Sequence, residues 1–141
     1  MMRGFLKEHP NTKAIMRNKG LAKLGDNLVN LCYSLAKSEV LRGPTGEKVR
    51  DSVLARAIRD TPVYTHIGRR TDSGAAADAY EAIMAYLWLT GSLTIESIVS
   101  SLVKELNIES ETNRQQEGEI ASCAFQKLLL DVMSFLPDQS E

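Results

Sequence analysis

Ala75-Ala76-Ala77-Asp78-Ala79-Tyr80-Glu81-Ala82-Ile83-Met84-Ala85-Tyr86-Leu87-Trp88-Leu89-Thr90-Gly91 is the stretch that decides how the chain folds. Its alanines and large apolar residues predict the most deeply buried helix of the chain, over residues 73–90, with Gly91 as its stop. Working outward, helical spacing recurs on both sides. Leu21, Leu24, Leu28, Leu31 and Leu35 fall at three- and four-residue steps and make one apolar stripe on a helix over residues 21–38. Residues 42–46, Arg-Gly-Pro-Thr-Gly, form a turn. A second helix is expected over residues 47–59, with Val49, Val53, Leu54, Ala57 and Ile58 inward. Thr61-Pro62 reads as a cap followed by proline at the first position of a short helix that ends at Gly68, before a loop over residues 69–72. Thr94 caps a helix to about residue 106. A last helix runs over residues 112–135, weakened early by Gly118 and stopped by Pro137. Residues 1–19 are polar and basic, with one short helix near residues 13–18. No period-two alternation, internal repeat or low-complexity stretch is present. The expectation is an all-α bundle of about six or seven helices.

The 141 residues fit one domain, 1–141, with a sizeable core, and 43% hydrophobic residues argue against disorder. No apolar run approaches about 18 residues, so no membrane span is expected. The opening residues are interrupted by charge too early for a secretory signal. Two cysteines, Cys32 and Cys123, are too few for a disulfide framework or a zinc site. Both lie in apolar helical patterns and are expected in the core, in a reducing, cytoplasmic setting. Trp88 is expected in the core as well, while His9 and His66 show no ligand spacing.

A net charge of -1 speaks against a nucleic-acid partner, but its distribution is uneven. Residues 1–72 carry 14 Lys and Arg against 7 Asp and Glu; residues 73–141 carry 3 against 11. That fits either a polar molecule with an anion-binding face or a chance imbalance on solvated helices. Three acids interrupt otherwise apolar helices: Asp26, Asp78 and Glu81. Asp78 and Glu81, three residues apart, project from one helical face. Carboxylates in apolar surroundings cost free energy unless paired, hydrogen-bonded or bound to a metal. Clustered, they are the hard ligands that Mg²⁺ or Mn²⁺ prefers. Spacing alone leaves helix capping or ion pairing open, and Asp78 lies near enough to its helix start to favour the dipole.

Residues 21–28, Leu-Ala-Lys-Leu-Gly-Asp-Asn-Leu, resemble the ribonuclease III signature Glu-Arg-Leu-Glu-Phe-Leu-Gly-Asp-Ser/Ala-Val/Leu, whose Gly-Asp falls at Gly25-Asp26. Residues 77–91 are similar to the family's second motif, Ala-Asp-x-Phe-Glu-Ala-Leu-x-Gly-Ala-x-Tyr-Leu-Asp-x-Gly. Leu54-Ala55, Ile58, Val63 and Ile67-Gly68 suit the helices between them. The resemblance covers residues 20–91 and extends by helical pattern to 106, leaving an extra C-terminal helix over about 112–135. It implies a metal-dependent endonuclease for double-stranded or structured RNA, leaving 5′-phosphate and 3′-hydroxyl ends, with Mg²⁺ as cofactor and Mn²⁺ as a substitute. Asp26 and Glu81 would be direct metal ligands and Asp78 a supporting one. A homodimer would set two such centres across an RNA minor groove.

Three of the chain's departures from the family bear on the site and the dimer. The family's fourth acid falls at Ala22, the acid that opens its signature at Lys19, and the aromatic that plugs into the partner subunit at Lys23. Stand-alone members such as Mini-III and archaeal homologues also vary here. Both one and two metals per site stay open. No double-stranded-RNA-binding domain is expected after residue 91, so RNA contact falls to Lys13, Arg17, Lys19, Lys23, Arg69 and Arg70. The alternative is a catalytically weak RNA-binding or ribosome-associated module that keeps the fold.

Overall fold

Six α-helices and two short 3₁₀ segments make up the computed structural model, which describes residues 11–67 and 72–137; no strand occurs among them. In chain order the helices are α1 (Thr12–Met16), α2 (Lys19–Leu41), α3 (Asp51–Arg59), α4 (Ser73–Leu89), α5 (Ile95–Glu105) and α6 (Arg114–Val132). The 3₁₀ segments are Pro62–His66 and Met133–Phe135. Among the described residues no helix is long and apolar enough to cross a membrane.

The helix starts follow local chemistry. Asn11, Asn18, Asp72, Thr94 and Asn113 each accept a hydrogen bond from a backbone N–H of the first turn of the helix they precede, satisfying a donor that has no intrahelical partner. Thr94 and Ser97 close a reciprocal capping box. Arg42 ends α2 in the left-handed region at φ 61°.

The helix expected over residues 73–90 is the centre of the bundle. α4 is buried around most of its circumference and packs against α1, α2 and α3, while α6 packs on α3 and α5. Two hydroxyls lock α6 in place. The fully buried Tyr80 donates to the Phe125 carbonyl at 2.5 Å and meets the Phe125 ring edge-on. Ser122 donates to the Val53 carbonyl at 2.8 Å. A third tie is ionic: Tyr33 donates to Glu117, which also pairs with Lys37, and Lys37 reaches on to Glu47.

Four expectations need correction. The second helix begins at Asp51 rather than near residue 47. The chain before it lies extended along α2, where Glu47 N–H goes to Ser34 Oγ and Val49 N–H to Asn30 Oδ1. Those donors are spent on α2 side chains, so no helical turn forms there. Cys123 is exposed, because position 123 shares the solvent face of α6 with Glu119 and Lys127; only Cys32 is buried, and burial pushes its thiol up to about 12. Trp88 is half-buried against the core rather than inside it. The leucine stripe is split: Leu21 and Leu28 are buried, but Leu24, Leu31 and Leu35 are 42%, 48% and 43% exposed.

Candidate active site

The site is set by a close crossing of α2 and α4. A Cβ on Gly25 would lie 1.9 Å from the Glu81 carbonyl oxygen and 2.4 Å from its carbon. Only glycine lets the two backbones meet here, and that contact seats the next residue, Asp26, beside Glu81. The two sequence motifs are therefore the two sides of one helix–helix contact.

Around this crossing lies a cleft of about 310 Å³. Four carboxylates line it: Asp26 from α2, Asp51 from the start of α3, and Asp78 and Glu81 from α4. Lys19, Lys23 and Lys48 face them, and Ala22 completes the wall. Lys48 pairs with Asp26 at 3.3 Å and Lys19 with Asp78 at 3.2 Å. Both lysines are largely exposed, so these contacts are weak and easily exchanged.

Glu81 differs from the other three. It is 4% exposed, and its carboxyl is pushed up to about 8. Burial is the largest cause, followed by a hydrogen bond with Asp26 and the charges of Asp26, Asp78 and Asp51. The sign for stability follows. An acid near 4.5 in the unfolded chain and near 8 in the folded one holds an extra proton when folded between those values. The ion-free protein should therefore lose thermal stability as pH rises from about 5 to about 8, and Glu81→Gln should flatten that slope. A melting temperature that climbs over this window in the wild type would refute the assignment.

All three predicted acids reach the same cleft, but not within coordination distance of one point. Among the described residues no group of three or more His, Cys, Asp or Glu side chains is drawn together tightly enough to hold a metal ion. Carboxylates facing each other repel, and here Asp26 and Asp78 turn to lysines instead. The ion-paired alternative is thus realised for those two acids. The donor set nonetheless suits a hard divalent cation: four carboxylates in one cleft, the most buried of them without a cationic partner.

Of the predicted RNA-contacting cations, Lys19 and Lys23 line the cleft. Lys13 and Arg17 are exposed on α1 and at its end, outside the cleft lining. Arg69 and Arg70 lie outside the described residues, as does His9. Sequence reasoning missed Asp51 and Lys48. Inside a helix expected from residue 47, Asp51 resembled any solvated helix acid; as the first residue of α3 it faces α4, its Oδ2 3.9 Å from where a Cβ on Gly74 would stand.

A search of curated protein sequences gives no significant match. The family model for Ribonuclease III matches residues 19–136. That span starts at the first residue of α2 and takes in both sides of the Gly25–Glu81 crossing, the whole cleft and α6. Such a match supports an RNA-endonuclease type of function in general, in a family that generally uses divalent metal ions. By the extent of that match and the helical bundle it coincides with, the chain belongs to the ribonuclease III family.

Proposed function

We propose that this protein is a divalent-metal-dependent endoribonuclease, a single 1–141 domain that cuts double-stranded or structured RNA to 5′-phosphate and 3′-hydroxyl ends. The observation that carries this reading is the convergence of Asp26, Asp51, Asp78 and Glu81 from three helices on one cleft, with the buried Glu81 left without a cation. Asp26 and Glu81 hold Mg²⁺ or Mn²⁺, and Asp78 and Asp51 support it. When bound, the ion supplies Lewis-acid activation of water and stabilises charge on the leaving 3′ oxygen. The chain does the rest. Glu81 would release its proton to solvent on holding the ion, and Lys19 and Lys48 would leave Asp78 and Asp26 to meet the phosphates flanking the scissile bond. Lys23 stands beside them. The setting proposed is cytoplasmic.

The active assembly is a homodimer. Leu24, Leu31 and Leu35 stand exposed along α2, the helix that carries Asp26. The apolar helix α4 hides its surface inside its own bundle, so the α2 stripe alone carries this proposal. Sedimentation should show dimer at micromolar concentration and monomer for Leu31→Asp. A wild type that sediments only as monomer removes the paired centres.

A second reading, a catalytically weak RNA-binding or ribosome-associated module, is favoured by the Lys48–Asp26 and Lys19–Asp78 pairs and by Ala22 at the cleft wall. One experiment separates the two. With Mg²⁺ or Mn²⁺ the protein should cut double-stranded RNA and leave DNA of the same sequence intact, since A-form recognition uses the 2′-hydroxyl. Ala22→Glu should then change rate or metal dependence only modestly. An inert wild type with an active Ala22→Glu variant selects the second reading. If both stay inert on structured RNAs while calorimetry shows metal binding, the endonuclease reading fails.

A further inference from the structure

A second cleft, of about 440 Å³, lies between the start of α3 and the first turns of α6. Three arginines line it, Arg50, Arg56 and Arg114, against a single carboxylate, Glu119. The ion pairs among the described residues are Lys19–Asp78, Lys37–Glu47, Lys37–Glu117 and Lys48–Asp26, so no carboxylate neutralises any of the three arginines. Arg50 is fixed in place. Its Nη2 donates to the Arg114 carbonyl at 3.2 Å, and its guanidinium lies over Gly118, where a Cβ would come within 2.4 Å of it. Glycine early in α6, a weakness for the helix, is the space that guanidinium occupies. Arg56 and Arg114 are exposed at the rim.

This cleft and the carboxylate cleft are both lined by residues at the start of α3. Arg50 and Ser52 line one and Asp51, between them in sequence, lines the other. The two clefts thus lie on different sides of the first turn of α3. A strand whose scissile phosphate sits among Asp26, Asp51 and Glu81 must carry its neighbouring phosphates towards one side or the other of that turn. On the arginine side it meets planar donor forks suited to phosphate oxygens and not engaged in ion pairs among the described residues.

We propose that the cleft of Arg50, Arg56 and Arg114 is a second phosphate-binding site, which holds backbone phosphates of the RNA strand flanking the cleavage centre. The proposal rests on the endoribonuclease reading for its ligand, but not on the metal centre being active. It also answers the net charge of -1, because a molecule that is not basic as a whole presents its unpaired arginines beside the cleft it works with.

The test is binding of a fluorescent RNA duplex to the full chain in EDTA, where no cutting occurs, across a salt series. Arg56→Ala/Arg114→Ala leaves Arg50 and its packing untouched and should melt with the wild type. It should weaken binding by about tenfold or more at moderate salt and lower the slope of log affinity against log salt by about two. Glu119→Gln, which removes the carboxylate lining this cleft, should tighten binding. In parallel, RNA cutting is measured with Mg²⁺. If the wild type cuts RNA but affinity and salt slope are unchanged in the double variant, the arginine site is overturned and the endonuclease reading stands. If the wild type does not cut, yet binding falls as stated, the endonuclease reading fails and the arginine site stands. A wild type that binds no RNA leaves the cleft to another anionic partner and overturns the proposal.

Discussion

Glu81→Gln should abolish RNA cutting while the protein stays folded. Glutamine keeps the size of the buried side chain, and its amide can donate to Asp26 where the Glu81 carboxyl does so now. What disappears is the negative charge that the cleft needs once a divalent ion enters. Electrostatic stabilisation by such an ion is worth several kcal/mol, so the loss should be about 10²- to 10³-fold or more in rate. Ion binding by calorimetry should weaken in parallel, and the melting temperature should no longer fall as pH rises towards about 8. An active Glu81→Gln enzyme would end the claim that this carboxylate is a ligand. A variant that loses activity together with its helical signal would leave Glu81 a merely structural role.

Gly25→Ala should be the most damaging glycine-to-alanine change among the described residues. In an exposed helix, alanine in place of glycine gains about 1 kcal/mol. Here the added carbon would lie 1.9, 2.4 and 2.9 Å from the oxygen, carbon and Cα of Glu81. All three are backbone atoms of the central helix, so no rotamer change relieves the contact. α2 and α4 must separate, and overpacking of this kind costs about 1–3 kcal/mol and occasionally more. With three backbone contacts inside 3 Å the cost falls at the top of that range, so the net expectation is a loss of about 2 kcal/mol in denaturant unfolding, with cutting reduced even where the variant is folded, because Asp26 is carried away from Glu81. Gly20→Ala on the same helix is the control. Its Cβ would meet only Asn18 Oδ1, at 3.3 Å, and should leave stability nearly unchanged. If Gly25→Ala unfolds at the same denaturant concentration as the wild type, the account of the crossing is wrong.

The sequence by itself determined the all-helical fold and the burial of the 73–90 helix. These follow from information local to one segment. Helical spacing, caps and an apolar composition act over a few residues, and the acids stood out because each broke an apolar run. The order and spacing of the two motifs then carried the family resemblance, which the match over residues 19–136 bears out. What only the tertiary structure decided depends on groups distant in the chain. The start of α3 is set by α2: Asn30 and Ser34 take the N–H groups of Val49 and Glu47, and no propensity of residues 47–50 could reveal that. That shift turns Asp51 and Lys48 into the cleft and leaves Arg50 on the other side of the same turn. The lysine partners of Asp26 and Asp78, the high carboxyl of Glu81 and the exposure of Leu24, Leu31 and Leu35 are likewise properties of packing. A charge or an apolar side chain acquires its environment only when other helices arrive. Residue type and spacing can thus nominate an acid or a stripe, but which neighbour neutralises it, and which face stays open, is decided by the way α2, α3, α4 and α6 pack.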